Sequence, residues 1–305
     1  MTGPGWRSRE AGGRARARAI EWVALALSLA ACGRVETQAV PAPGSARSSA
    51  IDPKPAPRAP APGDAAAAAP GSGSAPIPPA TGAAAVIPAD ARELVTAVVD
   101  DWTATHATLR RFRRAGARWE PEGAPWPGVV GKSGSAWGVG LHGAGTPAGR
   151  TGPVKREGDS KSPAGAFALR SSYGYAKAPP AGARLPYVAL DERWNCVDDP
   201  ASAHYDEVLD RTAVTPDWKS AEDMRRKDEL YRWVVDVAHN PARTPGAGSC
   251  IFLHVWRGAD AGTVGCTAME ERKIAQLVAT LDPSAVFVLL PRAEYEALAP
   301  AWGLP

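Results

Sequence analysis

The chain has 305 residues, of which 30 are proline and 31 glycine, and a formal charge of +3. The charge is unevenly placed: residues 91–305 carry 26 basic and 26 acidic side chains, and the surplus, nine basic against six acidic, lies before position 91. A neutral folded part excludes the broad basic face of a typical nucleic-acid binder, because Lys and Arg contacts to phosphate supply most of such affinity.

Arg14, Arg16 and Arg18 precede an apolar run over 20–31 that is broken only by Glu21 and Ser28. That is the charge order of an export signal. Twelve residues rise about 18 Å as a helix and fall short of a hydrocarbon layer of about 30 Å, so a transmembrane helix is not expected. The run ends in Leu29, Ala30, Ala31 and Cys32, which resembles a bacterial lipobox. The resemblance implies a lipoprotein signal over 1–32, with Cys32 as the lipidated first residue of an exported protein. The protein is then anchored on the periplasmic side, and Gly33 after the cysteine implies the outer membrane.

Residues 33–90 read as a disordered Pro/Ala-rich linker. Twelve of the prolines fall within 36–90, and no Phe, Tyr or Trp occurs from Val23 to Asp101. Such a stretch cannot bury enough apolar surface to offset its chain entropy. It is a tether, part polyproline-like and part flexible.

The remaining 91–305 hold nine of the eleven tryptophans, enough for one domain core. Asp90 and Glu93 have capping-box spacing, and Leu94, Val95, Val98, Val99, Trp102, Leu109 and Phe112 recur near helical spacing. This predicts a helix over 91–113. Shorter periods then predict strands over 136–142, 165–169, 187–190, 231–238, 250–256 and 285–290. Short helices are expected over 220–227, 269–281 and 292–298. Strands without regular helix alternation argue against a doubly wound parallel sheet, so the expected class is a β-rich α+β domain.

With Cys32 taken by lipid, three cysteines remain, an odd number in an oxidising compartment: Cys196, Cys250 and Cys266. Two can pair and one is left over for chemistry. Cys266 follows Gly265 and precedes a helical periodicity, a setting in which a helix dipole and free amides would favour the thiolate. Cys196, in a loop, and Cys250, opening an apolar strand, are the candidate disulfide. A nucleophilic cysteine needs a base. His254, in the apolar stretch CIFLHVW twelve residues before Cys266, is better placed for that than His106, His142 or His204.

The stretch FLHVWRGADAGTVGCTAM resembles the catalytic core of the L,D-transpeptidases, the YkuD-like family, in which a strand histidine precedes an S/T-x-G-C turn. The matching positions are His254, Thr263, Gly265 and Cys266. A second stretch, GPVKREGDSKSPAGAFAL, is similar to the family's Pro-x-Gly-x-Phe strand at Pro163, Gly165 and Phe167. The resemblance covers about 128–290. It departs at Val264, where many members have His, and at Ala268, where many have Arg or Asn.

What the resemblance implies is a YkuD-like mixed β-sandwich domain. It also implies acyl transfer on peptidoglycan stem peptides through a thioester on Cys266, with His254 moving the proton and the amides of Gly265 and Cys266 holding the oxyanion. Thr263, Thr267, His239, Trp256 and Arg257 are candidate substrate contacts. No cofactor, metal or nucleic acid is called for. Water in place of an amine would make the same site an L,D-carboxypeptidase. A wall-binding lipoprotein without activity is the non-enzyme alternative. A zinc site of His239, Cys250, His254 and Cys266 lacks the short ligand pairs such sites use.

Overall fold

The computed structural model describes residues 85–305. The signal at 1–32 with Cys32, and the tether up to residue 84, lie outside the described residues.

Where a helix is expected over 91–113, the chain forms two strands, β1 (Glu93–Val99) and β2 (His106–Ala115), paired antiparallel with Leu94 opposite Phe112 and Val99 opposite Ala107. The Leu and Val spacing of β1 suits either element, but β2 alternates: Ala107 and Leu109 are buried while His106, Thr108 and Arg110 are exposed. That is the two-residue period of a half-buried strand. Asp101 makes the turn between them, its Oδ1 accepting the amides of Thr103 (2.7 Å) and Ala104 (2.9 Å), the usual Asx device. Glu93, the expected cap, instead accepts a hydrogen bond from the buried Arg111 at 2.7 Å.

The chain continues through β3 (Arg118–Pro121), β4 (Trp126–Val129), β5 (Ser135–Trp137), β6 (Val139–Gly140), β7 (Gly143–Ala144), β8 (Ser162–Gly174) and β9 (Tyr187–Ala189). Then come β10 (Trp194–Val197), β11 (Val208–Asp210), β12 (Ala221–Asp223), β13 (Trp233–Val237), β14 (Phe252–Val255) and β15 (Thr267–Met269). The last elements are α1 (Glu271–Thr280), β16 (Val286–Pro291) and α2 (Arg292–Trp302).

Eight strands pair in the order β1-β16-β8-β13-β14-β15-β4-β2, and β2 returns to β1, closing a barrel. Only β1–β16 and β14–β15 run parallel within it. This corrects the expected YkuD-like sandwich and the expected N-terminal helix: β1 is hydrogen-bonded on both sides, so the sheet has no free edge there on which to end as a sandwich layer. The described residues contain two helices, and the expected helix over 220–227 is β12 and a turn. Its Met224 is fully buried and its Ala221 pairs with Val197 of β10, so tertiary pairing overrides the helix-forming residues around it.

Phe167, Leu253, Met269, Ile274 and Phe287 lie fully inside the main core. Within β8, the His142 ring lies directly over Gly165: a Cβ there would lie 1.9 Å from the His142 Cε1, at a φ of +140°. The motif Pro163, Gly165, Phe167 therefore has a packing cause. A separate three-stranded sheet, β11-β10-β12, stands over a second apolar cluster that contains Cys196, Met224, Tyr231, Cys250, Phe252 and Cys266.

Candidate active site

The parallel pair β14–β15 places Leu253 opposite Thr267 and His254 opposite Ala268. Side chains alternate along a strand, so His254, Ala268 and Cys266 share one face and Thr267 the other. That shared face is one wall of a cleft of about 170 Å³, lined also by Arg226, Tyr231, Arg257, Thr263 and Val264. The two residues singled out as nucleophile and base thus open on one cavity.

Cys266 is the free cysteine among the described residues. It is buried; its Sγ accepts the Phe252 amide at 3.4 Å and its thiol faces the Cys250 carbonyl at 3.4 Å. Burial, and next the charge of Glu222, push the thiol up to about 12, against smaller opposing effects of the Phe252 amide, the Tyr231 hydroxyl and Lys155. The helix-dipole expectation is therefore corrected. β15 separates the sulfur from α1, which begins at Glu271, and the dipole acts only within a helix's first turn.

His254 Nδ1 lies 2.7 Å from the Val255 carbonyl. A carbonyl only accepts, so Nδ1 carries the proton and Nε2 is bare. Burial lowers the imidazole to about 4, so the resting pair is neutral thiol and neutral imidazole.

The turn before the nucleophile is held by hydroxyls. Thr263 Oγ1 donates to the Cys266 carbonyl (2.6 Å) and accepts the Gly265 amide (3.1 Å). Ser162, at the start of β8, donates to the same carbonyl (2.8 Å) and accepts the Gly131 amide (2.9 Å). The Gly265 amide is thus committed and does not serve as an oxyanion donor, a second correction. The Cys266 amide has no hydrogen-bond partner among the described residues.

The other expected positions divide. Arg257 reaches the cleft and lies 3.4 Å from Asp228. Asp228, held well below the usual carboxylate range at about 2 by its hydrogen bonds from Arg226, also fixes that guanidinium at 2.8 and 2.7 Å. Thr263 supports the turn. Thr267 points away into the core, and Trp256 is not part of the cleft wall.

His239 is a core residue: its Nδ1 accepts the Val139 amide (3.3 Å), its Nε2 meets the Ala247 carbonyl (3.0 Å), and burial lowers it to about 4. Cys196 and Cys250 are joined in a disulfide with Cα atoms 6.0 Å apart. Cys250 is thereby removed from any zinc set, and no cluster of three metal-ligating side chains occurs among the described residues.

Two cleft residues, Tyr231 and Arg226, and Glu222 behind them escape sequence reasoning. Tyr231 donates to Glu222 at 2.6 Å and packs its ring edge-on to His254, centroids 5.2 Å apart. Arg226 stacks over the same ring at 5.0 Å. Tyr231 opens an expected strand, and Glu222 and Arg226 lie in the segment where a short helix is expected. No family model, no curated protein and no solved structure matches this chain, so its activity has to be argued from the cleft itself.

Proposed function

We propose that the protein is an L,D-transpeptidase, an acyltransferase in which Cys266 is the nucleophile, acting on peptidoglycan stem peptides outside the cytoplasmic membrane. The observation that carries the reading is the cleft shared by the Cys266 thiol and His254, whose Nε2 is bare. Supporting it, the two stretches that resemble the family meet in space through the Ser162 bond to the Cys266 carbonyl. The closed barrel lends no support, so the reading stands on the site alone. Lipid anchoring through Cys32 would hold the enzyme beside its substrate.

With both groups neutral at rest, thiolate is made only as it is used. The substrate carbonyl enters against Cys266. The S–H proton passes to His254 Nε2 as the sulfur–carbon bond forms. The oxyanion that develops is met by the Cys266 amide. Collapse breaks the carbon–nitrogen bond, Nε2 returns its proton to the departing amine, and a thioester remains. A second amine attacks this thioester, yields its proton to Nε2, and Cys266 leaves as a thiol. Water in that second step gives carboxypeptidase chemistry from the same atoms.

Arg226 and Arg257, against the single Asp228, leave the cleft mouth cationic, which suits a donor peptide bearing carboxylates. The test is incubation of the purified protein with a tetrapeptide muropeptide, followed by intact mass. The expected result is a covalent adduct on the wild type that Cys266→Ala lacks, together with crosslinked product. Trimmed tripeptide alone would assign the hydrolase. Neither adduct nor product would overturn the enzyme reading in favour of a wall-binding protein.

A further inference from the structure

The Cys266 sulfur is held by backbone atoms of the segment that leads into β14. The Cys250 carbonyl receives its thiol at 3.4 Å, and the Phe252 amide donates to the sulfur at 3.4 Å. Cys250 has a φ of +56°, a left-handed conformation that crowds a Cβ and persists only where contacts over-determine it. Those contacts come from the corner that precedes β11. The Tyr205 hydroxyl accepts the Gly248 amide at 3.2 Å, and Asp206 Oδ1 accepts the Cys250 amide at 2.9 Å. Ser249 donates its hydroxyl to Glu157 at 2.7 Å, and the disulfide ties the Cys250 side chain to Cys196 of β10. Three consecutive residues are thus fixed, and Cys250 is fixed through both its amide and its side chain. Its carbonyl is left to face the sulfur.

Asp206 has no other partner to explain its place. The Cys250 amide is the one hydrogen bond of its side chain among the described residues, and it enters no ion pair there. Arg170 and Arg243 line the same cavity of about 380 Å³, but Arg170 donates to Asp236 at 3.0 Å and Arg243 pairs with Glu207. That cavity lies on the far side of Cys250 and Phe252 from the cleft, and Asp206 is not part of the cleft wall. Any effect of Asp206 on the sulfur therefore passes through the Cys250 peptide.

We infer that Asp206 is a positioning residue for the nucleophile: by holding the Cys250 amide it aims the Cys250 carbonyl at the Cys266 thiol, and so fixes the sulfur on the face it shares with His254. The inference rests on Cys266 being the nucleophile proposed above. The disulfide and the carboxylate are two independent tethers on one residue, and the carboxylate is the one that sets the direction of its backbone.

The test is the infrared S–H stretching band of Cys266, taken in the full chain as the difference from Cys266→Ala. The band falls in frequency when a thiol donates a hydrogen bond, and a purely structural role for Asp206 would not move it. It needs no acyl substrate, so its failure is separable from failure of the transferase reading. Asp206→Ala removes the acceptor of the Cys250 amide and should raise the band toward the frequency of a free thiol. Asp206→Asn keeps an Oδ1 acceptor and should restore the band to its place in the wild type. In the muropeptide assay Asp206→Ala should lower kcat by about tenfold with KM unchanged, and Asp206→Asn should recover most of that loss.

A band that stays in place in Asp206→Ala overturns the inference. So does a band that moves equally in both variants, which would reflect damage to the fold and not loss of the acceptor atom. Hydrogen exchange on the wild type covers the case in which Asp206→Ala does not fold: the Cys250 amide should be protected, and exchange at the rate of an exposed amide overturns the inference without any variant.

Discussion

Breaking the Cys196–Cys250 bridge should be the single most destabilising change short of damage to the core. The two cysteines are 54 positions apart. Closing a loop of that length removes about 14 cal/mol/K from the unfolded chain, or about 4 kcal/mol at 25 °C in the chain-entropy account. Alanine at both positions is the cleaner perturbation, since serine would bury two hydroxyls without partners. Urea unfolding of wild type and the double alanine variant should differ by about that amount. The melting temperature should fall by roughly 8–16 °C for a domain of this size. Because the constraint acts on the unfolded ensemble, the variant's unfolded chain is larger and its denaturant dependence steeper. The variant should also expose Cys266 to alkylation, since the Cys250 carbonyl that meets its thiol is no longer tethered. A stability loss below about 1 kcal/mol would refute the reasoning and mean that the small sheet holds its place without the bridge.

Two further outcomes follow from particular contacts. Gly165→Ala places a methyl 1.9 Å from the His142 ring at a φ of +140°; it should cost more than about 3 kcal/mol in urea unfolding, and His142→Ala in the same chain should recover part of the loss. Burial raises the Asp206 carboxyl to about 7, aided by Asp236 and opposed by the Cys250 amide, Arg170 and Arg243. A carboxyl raised on folding contributes stability that is complete below its unfolded value of about 4 and is lost as pH rises through the folded value. Asp206→Asn should therefore match the wild type at pH 4 and exceed it at pH 8, and equal urea midpoints at pH 8 would contradict the assignment.

Much of the site was legible because it is local. The histidine, the Thr-x-Gly-Cys turn and the cysteine lie within thirteen residues, and a strand on each side suffices to bring them together. Cysteine arithmetic leaves 266 over, and 266 is the free thiol among the described residues. The expected strands over 165–169, 231–238, 250–256 and 285–290 overlap β8, β13, β14 and β16, since apolar runs bounded by turn residues have few other uses.

Long-range pairing was not legible. Leu94, Val95, Val98 and Val99 suit a helix face as well as a strand buried on both sides, and only the β16 and β2 pairings decide between them. Closure into a barrel is a property of those two ladders and of no short window. Glu222 and Tyr231 are nine positions apart and their hydrogen bond is made by strand packing, which no short window of sequence shows.

The place of β16 bears on how the protein is made. It inserts between β1 and β8, so the first strand of the barrel waits for a segment synthesised nearly two hundred residues later. Until that segment emerges, the nascent polypeptide has two unsatisfied ladders and no route to the native state, and non-local pairings of this kind form slowly. A chain so built is vulnerable to premature association over the same interval. The last strand works as a latch whose timing is set by gene order.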